Sequence, residues 1–103
     1  MNFKKGDKIY LRLNYRLDPD KGIEGQALED HLAYVNNLAR KGFFLGGAFT
    51  SNRTGEAGSG NQFVAENYEE AKKIVENDPI TKTGLYRSEI FEWDLAVVHG
   101  DVD

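Results

Sequence analysis

The order in which hydrophobic periodicity changes along this chain leaves few folds open. From Lys8 to Tyr15 the side chains alternate, with Ile9, Leu11, Leu13 and Tyr15 on one face and Lys8, Tyr10, Arg12 and Asn14 on the other, the pattern of a half-buried strand. Asp18-Pro19-Asp20-Lys21-Gly22 then supplies turn chemistry, because proline fixes φ and glycine accepts positive φ. Between Ala27 and Arg40 the period becomes helical, with Leu28, Leu32, Val35, Leu38 and Ala39 on one stripe, and Lys41-Gly42 ends it, Gly42 suiting a left-handed residue after the last turn. Phe43 to Thr50 is apolar on both alternations and reads as an interior strand covered on both faces, with Gly46-Gly47 leaving room for something to approach the backbone.

The remainder repeats the scheme. The stretch from Ser51 to Asn61, rich in Gly, Ser and Asn, reads as a connection that leads into a short strand at Gln62 to Glu66. Tyr68, Ala71, Ile74 and Val75 define a second helix, which Asp78-Pro79 interrupts, because the residue before a proline is pushed away from helical angles; one short turn over Ile80 to Leu85 follows. Tyr86 to Val97 alternates, with Phe91, Trp93, Leu95 and Val97 on one face and Ser88, Glu92 and Asp94 on the other, Ile90 breaking the polar side, and the tail from His99 frays.

The order strand, helix, strand, strand, helix, strand predicts one α+β domain over residues 1–103 of the ferredoxin-like βαββαβ type, an antiparallel four-stranded sheet with both helices on one face. The other face would then be bare, and with Tyr10, Phe44 and Ile90 assigned to it, a second identical subunit is its simplest cover. At 103 residues the core is adequate but not generous, so pairing would help.

Charge and composition exclude several functions. Thirteen Lys and Arg against seventeen Asp and Glu offer no general attraction to nucleic acid or anionic lipid. The absence of cysteine removes disulfides, thiolate metal sites and Cys nucleophiles. No apolar run approaches a membrane span and the N-terminus is polar, so the expected location is the cytoplasm; Asn52-Arg53-Thr54 reads as a chance glycosylation match. Gly55 and Gly60 have P-loop spacing, but Asn61 and Gln62 stand where Lys and Ser or Thr are needed, and Gly58-Ser59-Gly60 lacks the third glycine of a dinucleotide fingerprint. An RNA-recognition module shares the element order, yet Ser59, Asn61 and Glu66 occupy positions that need a base or stacking aromatics. His31 and His99 are the only histidines, with no carboxylate at ligand spacing from His31, so neither metal nor cofactor is expected.

What survives is His31, at the edge of the helical stripe beside Leu28, Val35 and Leu38, and Asp78 at the end of the second helix. A carboxylate holding one ring nitrogen would fix the imidazole tautomer and make it a better base. The alternative is that His31 packs against the neighbouring helix and Asp78 stabilises a turn.

His31-Leu32 on the first helix, Gly42-Phe43-Phe44-Leu45-Gly46-Gly47-Ala48-Phe49 on the second strand, Asp78-Pro79 after the second helix and the closing alternating strand together resemble the YciI-like (YCII-related) family. The resemblance implies a dimeric ferredoxin-like α+β barrel, similar to muconolactone isomerases, in which the His and Asp matching His31 and Asp78 are a candidate catalytic pair. The chain departs from the family pattern at Ala48, where many members have proline, and in its long loop from Ser51 to Gly60. The resulting expectation is a metal-free enzyme of isomerase, lyase or hydrolase type, in which His31 is general acid or base on a small anionic organic molecule. Arg12 would hold a carboxylate from the face opposite the helices, or pair with Glu89 or Glu92, and Gly46 and Gly47 would admit substrate to the backbone. The rival is a non-catalytic ligand-binding or assembly module using the same dimer cleft; an oxygenase of similar barrel shape has no specific mark in the chain.

Overall fold

The computed structural model of the chain describes residues 2–51 and 56–102, so Asn52-Arg53-Thr54 and Gly55 lie outside the described residues. The elements run β1 (Lys8–Arg16), α1 (Gly25–Lys41), β2 (Phe44–Ala48), β3 (Ala57–Phe63), α2 (Tyr68–Glu76), α3 (Pro79–Lys82) and β4 (Tyr86–Asp94). The four strands form one antiparallel sheet in the order β2-β3-β1-β4, which is the ferredoxin-like arrangement, with the helices layered on one side. Local chemistry starts two of the helices: the Asn67 side chain accepts from the Glu70 N–H at 2.9 Å, and Asp78 caps α3 in front of Pro79 by accepting from the Ile80 N–H at 3.0 Å. Gly42 does follow α1, but its φ of −176° is extended backbone and not the left-handed conformation expected of it.

The core lies between β1, β3 and α2, where Tyr10, Phe63, Ala71 and Val75 are buried and Phe44, Ile74 and Ile90 pack against them. This corrects the assignment of faces. Tyr10, Phe44 and Ile90 sit under the helices, and the bare side carries the apolar set instead, with Leu11 paired to Phe91 and Ile9 to Trp93. Leu45, Phe91 and Trp93 remain exposed there, and Phe49 lies over Gly60, where a Cβ would come within 3.0 Å of the ring.

Two strands also differ from expectation. β2 is an edge strand whose residues after Phe44 are all exposed, and not an interior strand covered on both faces. β3 occupies Ala57–Phe63, within what reads as a loop, and ends before Glu66. Its glycines are the reason: a Cβ at Gly58 would approach Tyr86 to 3.0 Å, and one at Gly60 would meet the Arg12 carbonyl at 3.1 Å as well as Phe49. Gly58 is the extra residue of a bulge opposite Asn14 and Tyr15. The C-terminal segment is tied down and not frayed, since Val98 bridges Asp101, whose carboxylate accepts the Lys5 N–H at 2.8 Å. Among the described residues no helix is long and apolar enough to cross a membrane.

Candidate functional site

No residue of α1 is buried, although its stripe is apolar. The helix stands off the sheet, held by the Tyr34 hydroxyl donating to the Ile74 carbonyl at 2.7 Å and by His31. Between helix and sheet opens a cleft of about 610 Å³, within the usual range for small-molecule sites. Its roof is Leu28, His31, Leu32 and Val35 from α1, and its floor is Asn14, Ser59, Asn61 and Gly46 from the sheet. Ile23 and Tyr86 line it as well, and the Tyr86 hydroxyl, accepting the Ile23 N–H at 3.0 Å, fixes the β1–α1 loop there.

His31 and Asp78 meet. His31 Nδ1 lies 2.6 Å from Asp78 Oδ1, and the other carboxylate oxygen accepts from Arg12 Nη1 at 2.6 Å. Arg12 Nη2 donates to Thr81 Oγ1 at 3.0 Å, and that hydroxyl in turn donates to the Val75 carbonyl at 2.6 Å. Asp78 is fully buried, Arg12 nearly so, and the His31 side chain is 15% exposed. Burial alone would raise the Asp78 carboxyl, but the hydrogen bonds from His31 and Arg12, with the Ile80 N–H, hold it below its ordinary 3.8. An ionised Asp78 can only accept, so His31 Nδ1 carries a proton and donates it. Nε2 is then the nitrogen left over, and it has no hydrogen-bond partner among the described residues.

Arg12 is therefore not on the face opposite the helices, and it pairs with neither Glu89 nor Glu92; its guanidinium lies beneath Asp78. Gly46 and Gly47 do rim the cleft, for different reasons. A Cβ at Gly46 would fall 2.8 Å from the Asn61 Cβ, whereas one at Gly47 would meet nothing within 4 Å. The residues that sequence reasoning missed are Asn14, Ser59 and Asn61. Asn14 accepts from Ser88 Oγ at 2.6 Å and donates to Ser59 Oγ at 2.9 Å, a floor assembled from three strands. The sequence carried no clear signal for them, because Asn14 falls on the face read as turned away from the helices and Ser59 and Asn61 lie within what reads as a connection.

The YCII-related domain model matches residues 9–94. This chain belongs to the YCII-related family. Among solved structures, this YCII-related domain is similar to 5-chloro-2-hydroxyhydroquinone dehydrochlorinase from Burkholderia phenoliruptrix AC1100 in complex with 2,5-dihydroxybenzoquinone, at 27% identity and TM-score 0.58, over 82% of this chain and 92% of that one. A protein from Arabidopsis thaliana, at 12% identity and TM-score 0.54 over 89% and 98% of the two chains, shares the fold. No curated protein matches by sequence. The domain thus shares family-level architecture with a small-molecule enzyme.

Proposed function

We propose that this YCII-related domain is an enzyme acting on a small anionic organic molecule, with His31 Nε2 as general base and then acid, and Asp78 as the group that orients the ring. The observation that carries the reading is the chain Arg12, Asp78, His31, which ends on the wall of a cleft in a ring nitrogen without a hydrogen-bond partner among the described residues. A buried carboxylate held ionised fixes the tautomer and steadies the imidazolium formed when Nε2 takes a proton. Nε2 can remove a proton from a C–H or O–H of the bound molecule and return it at a second atom or to a leaving group; isomerisation, elimination and hydrolysis share that step. Among the described residues lining the cleft there is no Asp or Glu, while Arg16 and His31 line it, in a chain where acids outnumber bases. That selection favours an anionic ligand. The apolar α1 wall suits a flat ring, as in the hydroxyquinone bound by the Burkholderia enzyme.

We also propose that a second copy covers the open sheet face, where Leu45, Phe91 and Trp93 are exposed. Leu45 to Ala48 rims both the cleft and a groove of about 280 Å³ on that open face, so such a dimer would close one edge of the site.

The test compares wild type with His31→Gln on chlorinated hydroxyquinols, 2,5-dihydroxybenzoquinone, unsaturated lactones and small carboxylates, following substrate loss, chloride release and binding. Acid–base catalysis predicts turnover falling about 100-fold or more with binding changed only a few-fold. Binding without turnover by the wild type, or turnover indifferent to His31→Gln, would overturn the reading in favour of a ligand-binding module.

A further inference from the structure

The geometry points to Asn61 as the residue that reads the ligand from the sheet side, its amide N–H donating to a carbonyl or anionic oxygen. This rests on the small-molecule reading of the cleft and deepens it to a ligand that carries an oxygen directed at the floor.

Asn61 alternates with Phe63 of the core and with Ser59, which is bonded to Asn14, so its side chain lies on the helix-facing side of the sheet. It is only 9% exposed and lines the cleft. Its polar neighbours on that side are all bonded: Arg12 to Asp78 and Thr81, Asn14 to Ser59, Ser88 to Asn14. Asn61 alone among them has an amide with no hydrogen-bond partner among the described residues. The only side-chain polar atom both fully buried and without a partner among the described residues is Arg12 Nε, so the Asn61 amide opens into the cleft, at a strand position facing an apolar helix stripe that would be better filled by Leu or Val. The exception makes physical sense where a bound molecule supplies the missing partner.

Two further observations fix what that partner is. Asn61 sits opposite Gly46 in the β2–β3 ladder, and any side chain at Gly46 would collide with its Cβ, so the space beside the amide stays open toward the β2 rim. Among the described residues no carboxylate lines the cleft, while Arg16 and His31 do. A ligand oxygen is then the complementary group, and the amide donates to it. A flat molecule could meet His31 Nε2 at one edge and Asn61 at another, which gives it one orientation between helix and sheet.

The experiment uses the full chain and 2,5-dihydroxybenzoquinone as probe, with calorimetric binding and ligand-free thermal unfolding of wild type, Asn61→Leu and Asn61→Asp. Loss of the donor should weaken binding about tenfold in Asn61→Leu. Asn61→Asp, with the same shape but a negative acceptor, should lose more, and ligand-free Asn61→Leu should unfold at or above the wild-type temperature. Unchanged binding in both variants, or a ligand-free Asn61→Leu that unfolds earlier, would overturn the assignment while leaving the role of His31 standing. A wild type that does not bind the probe would overturn the hydroxyquinone-like ligand for both readings, whereas turnover lost in His31→Gln with Asn61→Leu unaffected would sink this one alone.

Discussion

Asp78→Asn separates the two halves of the buried chain. The substitution keeps the shape, and if its amide oxygen takes the place of Oδ1 it still accepts from His31 Nδ1 and the Ile80 N–H. Its NH2 group then faces Arg12 Nη1, donor against donor, where a 2.6 Å charged hydrogen bond stood. The flipped rotamer only moves the conflict to His31. Either way the Arg12 guanidinium, with a side chain 3% exposed and its Nε already without a partner among the described residues, loses its counter-charge and keeps, among those residues, only Thr81. Leaving one partner of a buried pair alone costs about 3–5 kcal/mol. At roughly 4–8 °C per kcal/mol for a domain of this size, the unfolding temperature should drop by about 12–40 °C. Arg12→Met removes the stranded charge, so the double variant should be less destabilised than the two singles summed, by about 1–3 kcal/mol. Acid titration gives an independent check. A carboxyl held below its ordinary 3.8 contributes stability that is whole above that value and is lost as the pH falls through its folded pKa. The wild type should therefore weaken below pH 3.8 in a step that Asp78→Asn lacks. Urea unfolding of the four proteins measures the cycle, and additivity within about 0.5 kcal/mol would refute the argument that Arg12 and Asp78 act as one unit.

Two further outcomes follow from the same geometry. Gly46→Ala places a Cβ 2.8 Å from that of Asn61, so either the cleft floor shifts or the edge strand separates; probe binding should fall about tenfold or more, with destabilisation of about 1–3 kcal/mol, and neither effect should appear in Gly47→Ala, where the space is open. Phe91→Lys puts a charge in the middle of the open sheet face, and a dimer using that face should weaken about 100-fold or more, read by sedimentation against concentration; an unchanged dimer would place the interface elsewhere.

The period of each element was legible, because alternation and helical spacing follow from local geometry whatever lies alongside. Which face turns inward was not. In β1 the apolar set Ile9, Leu11 and Leu13 is the natural choice for the core, yet of these only Ile9 is buried, at 4% exposed, whereas Tyr10, Arg12 and Asn14 are 1%, 2% and 2% exposed. Those side chains find partners far away in sequence, Asp78 for Arg12, Ser59 and Ser88 for Asn14, and pattern reasoning has no access to such pairs. The same inversion placed Arg12 on the wrong side of the sheet and concealed its partner. β3 was hidden by its own glycines, which read as loop because nothing local shows that Tyr86 and Phe49 occupy the space a Cβ would need. His31 and Asp78 stood out because each departs from its surroundings: an imidazole on the edge of an apolar stripe, and a carboxylate fixed by the proline after it.

The inversion also explains why there is a cleft at all. An apolar helix stripe would pack down on an apolar sheet face, and α2 does so over Tyr10 and Phe63. Under α1 the sheet presents Asn14, Ser59, Asn61 and a strand of small residues, Gly46 to Ala48, so close contact would bury polar groups against Leu28, Leu32 and Val35. The helix is instead tethered through Tyr34 and His31 to groups on the α2–α3 side, and its stripe stays unburied. Such a mismatch disfavours the empty state and favours a molecule with one apolar face and one oxygen-bearing edge, which can satisfy roof and floor together. On the proposed reading the dyad lies beside that molecule, because one of the two tethers that hold the helix off the sheet is the His31–Asp78 hydrogen bond. Breaking it should therefore disturb the shape of the cleft as well as the proton it moves, and the His31→Gln comparison separates the two, since glutamine can still donate to Asp78 and keep the tether while it has no nitrogen that can take up a proton.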